Sequence, residues 1–470
     1  MSLVFYDTET TGTETFFDQI LQFAAIKTDV DLNETDRIEA RCQILPHVVP
    51  SPGAMVVNRI RASQLTDPSL PSHYEMICKV RATLLSWAPS LFVGWNSMAF
   101  DEHLVRQALY KTLHNPYLTN SGGNTRSDVM RIVQACSLFA PDALVFPTDK
   151  NGLSSFKLDL VAPANGFDHS RSHEALGDVE ACIHVCRLIM ERAPNVWSSF
   201  MRYSSKAAVV DYINEELVFC VSDFYYGKAH SCIVTTIRQN GKNKAEWYIY
   251  NLAVDPESLK SLTDSQLAAR LQEFPKPVRK LKANGAPMLF PVEDAPDVCR
   301  GREHGLEVLE RRAARLRSDS DLLTRIIAAF ESEREEYAVS SHVEKQIYDG
   351  FTGDSDGRLM EAFHRSPWPN RPTIVGRFND SRLSRISTQL IHLERPDLLK
   401  DAIRREHDIA SAKRLLGELE DVAWLTLPQA LTELEDLLNR ATGLELEFLR
   451  EHDRYLRNQH AEAHLRSRRL

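Results

Sequence analysis

The stretch LVFYDTETTG at residues 3–12 joins an apolar run to two carboxylates, Asp7 and Glu9. Residues 3–6 predict a short buried β-strand, and the two acids stand where that strand is expected to end. Because side chains two residues apart on a strand project from the same face, Asp7 and Glu9 are expected to converge. An Asp-x-Glu pair after a strand is usually a solvated turn, so its role depends on the rest of the chain.

Around this stretch, the first two hundred residues alternate short apolar runs with helical patterns, which predicts a mixed α/β domain. Further strands are predicted over residues 22–27, 41–45 and 91–94, and helices over residues 101–110, 125–138 and 174–192. Between residues 216 and 290 the chain contains β-rich runs split by Gly and Asn turns, which predict a small antiparallel barrel or sheet. The C-terminal part carries helical apolar spacing.

Length and composition limit the class of protein. The chain has 470 residues, of which 43% are hydrophobic and 26% are charged, so it is expected to fold into roughly three domains. Its net charge of −9 argues, taken alone, against a nonspecific nucleic-acid coat. The eight cysteines include no Cys-x-x-Cys pair, and neither an export signal nor an ~18-residue apolar run is evident. A cytoplasmic protein with reduced thiols and no membrane span is expected.

Three more residues bear on the acid pair. Asp101 opens a predicted helix, and His173 and Asp178 flank the start of another. Singly, each has an ordinary structural interpretation as a helix cap or a surface residue. Asp178, however, borders the apolar stripe of its helix, where a carboxylate needs a compensating cation. Four carboxylates and one histidine make a set of hard oxygen ligands that suits Mg²⁺ or Mn²⁺.

The order Asp-x-Glu, Asp, His-x4-Asp resembles the DEDD exonuclease superfamily, in the branch that carries histidine. Three further blocks resemble the bacterial exonuclease I family: SFKL at residues 155–158, FPKPVRKL at 274–281 and VEKQIYDGF at 343–351. The resemblance implies an α/β, ribonuclease-H-like DEDDh exonuclease domain over residues 1–196. It further implies an SH3-like β-barrel domain over residues 197–343 and an all-helical C-terminal domain over residues 344–470.

The catalytic expectation is a two-metal phosphodiester hydrolysis with two Mg²⁺ ions per site, or Mn²⁺ in their place. Asp7 would bridge both ions, Glu9 and Asp178 would complete one, and Asp101 would support the other. His173 is the expected general base, because an imidazole of ordinary pKa can accept a proton at neutral pH.

The resemblance also implies a substrate and partners. The substrate is single-stranded DNA, degraded processively from its 3′ end to 5′-mononucleotides in DNA repair and recombination. The contact residues implied on this chain are Glu9, Lys157, Arg106, Tyr117, Arg131 and Lys206. A further implied partner is the acidic tail of single-stranded DNA-binding protein, with the arginines between residues 311 and 317 as a candidate docking face. A monomer is expected.

Two alternatives stay open at this stage. The five catalytic residues do not distinguish sugar types, so an RNA-trimming exonuclease of the same branch is one of them. The other is an inactive single-stranded DNA-binding scaffold, although all five expected residues are present.

Overall fold

The first apolar run forms the central strand of a mixed five-stranded sheet. The computed structural model describes residues 2–150, 152–168, 173–332 and 340–468. The strands of the first sheet are β1 (Ser2–Thr10), β2 (Ile20–Thr28), β3 (Glu34–Arg41), β4 (Ser90–Gly94) and β5 (Thr125–Asp128). Their order is β3-β2-β1-β4-β5, with β1 antiparallel to β2 and parallel to β4. This arrangement confirms the predicted mixed α/β class.

Helices cover both faces of this sheet. They are α1 (Pro52–Asn58), α2 (Ala62–Leu65), α3 (His73–Ser86), α4 (Asp101–Lys111), α5 (Val129–Phe139), α6 (Leu158–Ala164) and α7 (Ala175–Arg192). One apolar core lies between the sheet and α3 and α4, and a larger one lies between its other face and α5 and α7. Both faces of β1 are therefore buried, which explains its continuous apolar run.

The second sheet is antiparallel and follows two connecting helices, α8 (Pro194–Arg202) and α9 (Lys206–Glu215). Its strands are β6 (Phe219–Tyr225), β7 (Lys228–Gln239), β8 (Glu246–Asn251), β9 (Val278–Lys282) and β10 (Met288–Phe290), in the order β10-β6-β7-β8-β9. The same segment contains α10 (Glu257–Lys260), α11 (Asp264–Gln272), α12 (Leu306–Ser318) and α13 (Ser320–Glu331). The β-rich middle segment predicted from the sequence is thus confirmed.

The C-terminal part is helical, as predicted. Its helices are α14 (Asp354–Arg365), α15 (Pro372–Val375), α16 (Ser381–Glu394), α17 (Asp401–Leu416), α18 (Leu427–Leu438) and α19 (Gly443–Ser467). An apolar cluster combines Tyr74 and Leu113 of the N-terminal part with Phe363 and Leu390, so the two parts share a core. Across the described residues, no helix combines the length and the apolar character that crossing a membrane requires.

Three element predictions were wrong in part. The third strand is β3 and not residues 41–45, because β3 alternates mostly exposed polar side chains on a sheet edge and lacks an apolar run. Residues 125–128 are a strand and not the first turn of a helix, since the Asp128 side chain caps α5 at Met130 N. The first strand runs on to Thr10, so Asp7 and Glu9 lie within it.

Candidate active site

The two acids of the first motif lie on the part of β1 that extends beyond its parallel neighbour. Pairing of β1 with β4 ends at Phe5, whereas pairing with β2 continues to Thr10. Asp7 and Glu9 therefore project from one face at the carboxyl end of β4. Gly94 of β4 lies so close to β1 that a Cβ there would stand 2.5 Å from the Tyr6 carbonyl oxygen. The missing side chain of this glycine therefore permits the arrangement.

Helix α7 brings the third acid to the same place. It packs across β1 and β2, and Asp178 lies in its first turn. Carboxylate oxygens of Asp7, Glu9 and Asp178 all lie within 4.8 Å of one another. His173 lies two residues before the helix in a left-handed conformation, and its backbone N–H donates to Asp178 Oδ1 at 3.4 Å. The two ends of the predicted His-x4-Asp motif are thus linked.

Asp101 approaches from the opposite side as the first residue of α4 and is 4% exposed. The Thr8 hydroxyl donates to Asp101 Oδ1 at 2.6 Å, which ties the helix start to β1. Asp128 fixes the preceding loop, because its carboxylate accepts from the backbone N–H groups of Asn96 and Met98 at 3.0 Å each. Sequence reasoning missed this buried cap because it placed residue 128 inside a helix.

The acids are crowded, and their negative charges repel one another. Burial, together with the negative charges of Asp101, Asp178 and Glu9, holds the pKa of Asp7 well above its ordinary value. Burial and the charges of Asp178 and Asp101 raise the pKa of Glu9 to about 9, although Arg41 opposes this shift. Burial raises the pKa of Asp101 to about 7. Such a group of oxygen ligands is suited to a hard divalent cation, whose charge would offset the mutual repulsion.

Arg106 and Tyr117 form one of the predicted substrate-contact groups. Arg106 is buried. Its Nε donates to Glu102 Oε1 at 2.8 Å, and its guanidinium lies 5.2 Å from the centre of the Tyr117 ring. Tyr117 is half-buried and contacts the exposed ring of Phe351, with ring centres 5.6 Å apart. The rings bring the N-terminal and C-terminal parts together.

Glu102 is the second buried acid that sequence reasoning missed. Its Oε1 accepts from Arg106, from Arg126 Nη1 at 2.7 Å and from the Thr119 hydroxyl at 2.7 Å. The Tyr6 hydroxyl donates to Oε2 at 3.2 Å. The signal in the sequence was the i, i+4 spacing of Glu102 and Arg106 on a predicted helix.

Arg131 lines a basic cleft of about 420 Å³ between α5 and the second sheet. Its Nη1 donates to the Gly285 carbonyl at 2.5 Å. The basic stretch at residues 274–285 forms β9 and the following turn, so that Arg279, Lys280 and Lys282 line the same cleft. The cleft also reaches Asn96 and Asp128, in the loop before the Asp101 helix and at the cap of α5.

The two lysines among the predicted substrate-contact residues are exposed. Lys157 stands directly before α6, and Lys206 opens α9 with Ser205 as its cap. Both positions leave the ammonium group accessible to a phosphate. In the arginine stretch of α12, Arg312 and Arg317 donate to backbone carbonyls of the second sheet and its connections, whereas Arg311 and Arg315 are exposed. Half of that candidate docking face is therefore structural.

Two protein-family models match the chain, one in its N-terminal part and one in its C-terminal part. The model of the Exonuclease family matches residues 4–186, and that of the Exonuclease I C-terminal domain matches residues 341–459. The chain is 26% identical over 409 residues to exodeoxyribonuclease I of Escherichia coli K12, covering 82% of this chain and 84% of that one. It is 24% identical over 422 residues to the Haemophilus influenzae exodeoxyribonuclease I, covering 86% and 88%.

Solved structures agree on the fold. An exonuclease I from Methylocaldum szegediense superposes with a TM-score of 0.83 at 24% identity, covering 98% of this chain and 99% of that one. Escherichia coli exonuclease I in complex with a dA16 oligonucleotide gives a TM-score of 0.84 at 21% identity, covering 97% and 99%. The ribonuclease-H-like fold of the N-terminal part and the helical C-terminal part are thus confirmed. The chain carries a domain of the Exonuclease family followed by an Exonuclease I C-terminal domain, and it is a nuclease of the hydrolase class.

Proposed function

We propose that this protein is a 3′→5′ exodeoxyribonuclease that degrades single-stranded DNA processively to 5′-mononucleotides, with a role in DNA repair and recombination. The observation that carries the proposal is the convergence of Asp7, Glu9 and Asp178 within 4.8 Å, with Asp101 facing them. The two exodeoxyribonuclease I relatives and the oligonucleotide-bound structure support the same substrate.

The acid site fits hard divalent cations, since its ligands are carboxylate oxygens whose like charges repel one another. Two Mg²⁺ ions, or Mn²⁺, would stabilise the attacking and leaving oxygens of an in-line displacement at phosphorus. Asp7, Glu9 and Asp178 would together hold these ions, and Asp101 would support them from the start of α4. The buried bond from Thr8 keeps the Asp101 carboxylate oriented for this role.

His173 is proposed as the general base. Its backbone N–H donates to Asp178 Oδ1 at 3.4 Å, so the residue lies next to one of the acids, and a ring nitrogen would accept the proton of the attacking water. We expect His173→Ala to lower kcat by roughly 10²–10⁴-fold, the usual contribution of a positioned base, with little change in DNA affinity. Unchanged turnover on a single-stranded oligonucleotide would contradict this role.

The DNA path is proposed to run from Lys157 near the 3′ terminus along Arg131, Arg106 and Tyr117. Cations along this route neutralise phosphates, and the Tyr117 and Phe351 rings offer stacking platforms. Glu9 would contact the terminal nucleotide, and Lys206 would meet the strand at the entrance of the middle part. Lys157 stands where arginine is usual in the family, so its hold on phosphate lacks the bidentate fork.

Three domains with boundaries near residues 196 and 343 are part of the proposal, and they would enclose the strand to give processivity. Removing the C-terminal part is a poor test, because the core that it shares with Tyr74 and Leu113 would become exposed. A sharper test replaces Phe351, which is 85% exposed, with alanine. We expect shorter runs per encounter in a trap assay with single-cleavage rates nearly unchanged, and equal run lengths would contradict the enclosure.

Partners and location complete the proposal. A monomer in the cytoplasm is proposed, and the free thiols of the described cysteines are typical of a reducing compartment. The acidic tail of single-stranded DNA-binding protein would dock on Arg311 and Arg315, the exposed arginines of α12. Charge reversal at both should weaken binding of a tail peptide and leave degradation of free oligonucleotide unchanged; equal peptide affinity would contradict this face.

The main proposal is tested with 5′-labelled oligonucleotides of single-stranded DNA, duplex DNA and RNA, each with Mg²⁺ or with chelator. We expect Mg²⁺-dependent shortening of single-stranded DNA from its 3′ end, with slower loss of the other two. Preferred RNA degradation would assign the protein to RNA trimming, and binding without degradation would make it a scaffold. Preparation of Asp7→Asn in parallel controls for contaminating nucleases.

A further inference from the structure

Outside the acid site, one thiol and two imidazoles from three separate segments meet at the junction of the N-terminal and C-terminal parts. Cys78 lies on α3, His114 follows α4, and His364 lies near the end of α14. The Cys78 Sγ and one nitrogen of each ring lie within 4.8 Å of one another. Sequence spacing gave no sign of this cluster, because its members are 36 and 250 residues apart along the chain.

Hydrogen bonds decide which nitrogens carry protons. His364 Nε2 lies 2.9 Å from the Leu113 carbonyl oxygen, which only accepts, so this nitrogen is the protonated one. The lone pair of His364 is therefore on Nδ1, where the Tyr74 hydroxyl donates at 3.0 Å. An imidazole that donates one N–H to a backbone carbonyl is oriented in the way metal-binding histidines are.

The other two groups face each other. His114 Nε2 lies 3.5 Å from Cys78 Sγ, close enough for a hydrogen bond between the ring and the thiol. Burial lowers the pKa of His114 to about 2 and that of His364 to about 4, and the neighbouring Arg81 and Arg371 act in the same direction. Both imidazoles are neutral at physiological pH, so each has one unprotonated nitrogen, as a metal ligand must.

A cation could reach the cluster from solvent. His114 and His364 line a cleft of about 730 Å³ that also includes Tyr117, Phe351 and the exposed Arg365. Cys78 and His364 are only partly buried. The cleft leaves room for a water molecule at a fourth ligand position.

We propose that Cys78, His114 and His364 bind one Zn²⁺ ion, with water as the fourth ligand. One thiolate and two imidazoles form a donor set that suits Zn²⁺ and differs from the all-oxygen acid site. The rings are now stacked with centres 3.8 Å apart, so they would rotate to aim both nitrogens at one ion, and Tyr74 would give up its bond to Nδ1. Arg371 Nη1, 2.9 Å from the Tyr74 hydroxyl, would still hold that side chain.

Such an ion would link α3 and the end of α4 to α14, across the junction of the two parts. Binding would release the thiol proton, so affinity would rise with pH until the thiol is ionised. Because the three ligands come from three separate segments, the bound ion would stabilise the packing of the C-terminal helices on the N-terminal part.

The test uses the full-length protein stripped of metal and titrated with Co²⁺ alone, whose thiolate complexes absorb in the near ultraviolet. We expect one equivalent to give a thiolate charge-transfer band in the wild type and in Asp7→Asn, and Zn²⁺ to abolish it by displacement. Cys78→Ser should lack the band, and His364→Gln should weaken Co²⁺ binding by at least ~10-fold. The matched control Cys232→Ser, which removes a buried thiol of the second sheet, should keep the band.

A thermal measurement gives a second readout. An excess of Zn²⁺ should raise the Tm of Asp7→Asn by at least ~2 °C, and it should leave that of Asp7→Asn/Cys78→Ser unchanged. The circular-dichroism spectrum of each metal-free variant shows that it is folded, with Cys78→Ala in place of Cys78→Ser if the latter is not. No thiolate band in the wild type, or an equal band in the folded Cys78 variant, would overturn the proposal.

Discussion

Asp101 and Glu102 are neighbours in the first turn of α4, both almost fully buried, yet their surroundings are opposite. Glu102 receives two arginines and two hydroxyl groups. Among the described side chains, Asp101 receives a hydrogen bond from the Thr8 hydroxyl, and the charges around it include another acid, Asp128. The same helix start therefore holds one carboxylate that is neutralised within the protein and one that is not.

This difference separates a structural charge from a functional one. A buried ion pair is strongly destabilising to break, because the remaining charge stays in a medium of low polarity. A buried acid without a cation is costly in the folded protein itself and is retained where a ligand supplies the missing charge. The two acids should therefore respond in opposite ways to neutralising substitutions.

The largest effect is expected at the centre of the acid site. Asp7→Asn should lower kcat on single-stranded DNA by on the order of 10³-fold or more, since metal-ion catalysis supplies several kcal/mol of charge stabilisation. The same change should raise the Tm of the metal-free protein, because burial and the neighbouring acids oppose ionisation of Asp7 in the folded state, and asparagine does not ionise. Near-normal turnover of this variant in Mg²⁺ would contradict a functional role for the Asp7 carboxylate.

The second effect tests whether Glu102 is a structural charge. Glu102→Gln leaves Arg106 and Arg126 without their carboxylate and should cost about 3–5 kcal/mol of unfolding free energy. Asp101→Asn, one residue away, should leave the metal-free stability unchanged or higher while it lowers activity. Denaturant unfolding of both variants in chelator provides the measurement. Equal destabilisation by the two substitutions would contradict the distinction.

The sequence predicted that Asp7, Glu9 and Asp178 come together but did not predict the Glu102 cluster, and the reason is physical. Asp7, Glu9 and Asp178 belong to motifs with fixed local spacing, and a strand end and a helix start determine where such motifs point. Glu102 depends on Arg126, from a strand that was predicted as a helix, so its compensation follows from tertiary contacts alone. The Cys78 cluster joins segments that share no local pattern, and only the folded chain brings them together.

The third effect concerns pH. The pKa of Glu9 is raised to about 9 in the folded protein against an ordinary value of 4.5, so between these values the folded state holds a proton that the unfolded state releases. Metal-free stability should therefore fall as pH rises from 5 to 9, and Glu9→Gln should remove the part of that loss due to Glu9, leaving the part due to Asp7 and Asp101.

We expect the variant to exceed the wild type in metal-free stability by on the order of 1–3 kcal/mol at pH 9, with little difference at pH 5. Saturating Mg²⁺ should reverse the sign, because the bound cation favours the ionised carboxylate. Unfolding curves of the two proteins at matched pH, with chelator and with Mg²⁺, measure both differences. A difference that does not change with pH would mean that Glu9 is ionised without metal.

The smallest effect is expected from the hydroxyl that donates to Asp101. Thr8→Val keeps the side-chain shape and removes the 2.6 Å hydrogen bond to Oδ1. In the wild type this bond lowers the pKa of Asp101. Without that bond the acid ionises less readily, and its metal complex should weaken, so activity at limiting Mg²⁺ should fall a few-fold and recover at saturating Mg²⁺.

Removing one hydrogen bond to a charged group costs at most ~1.5–3 kcal/mol. Because the Asp101 carboxyl can protonate in response, we expect the metal-free loss to be nearer ~1 kcal/mol, whereas Thr119→Val, which removes a donor to the permanently paired Glu102, should cost more. An equal cost for the two substitutions would contradict the distinction between Asp101 and the paired Glu102.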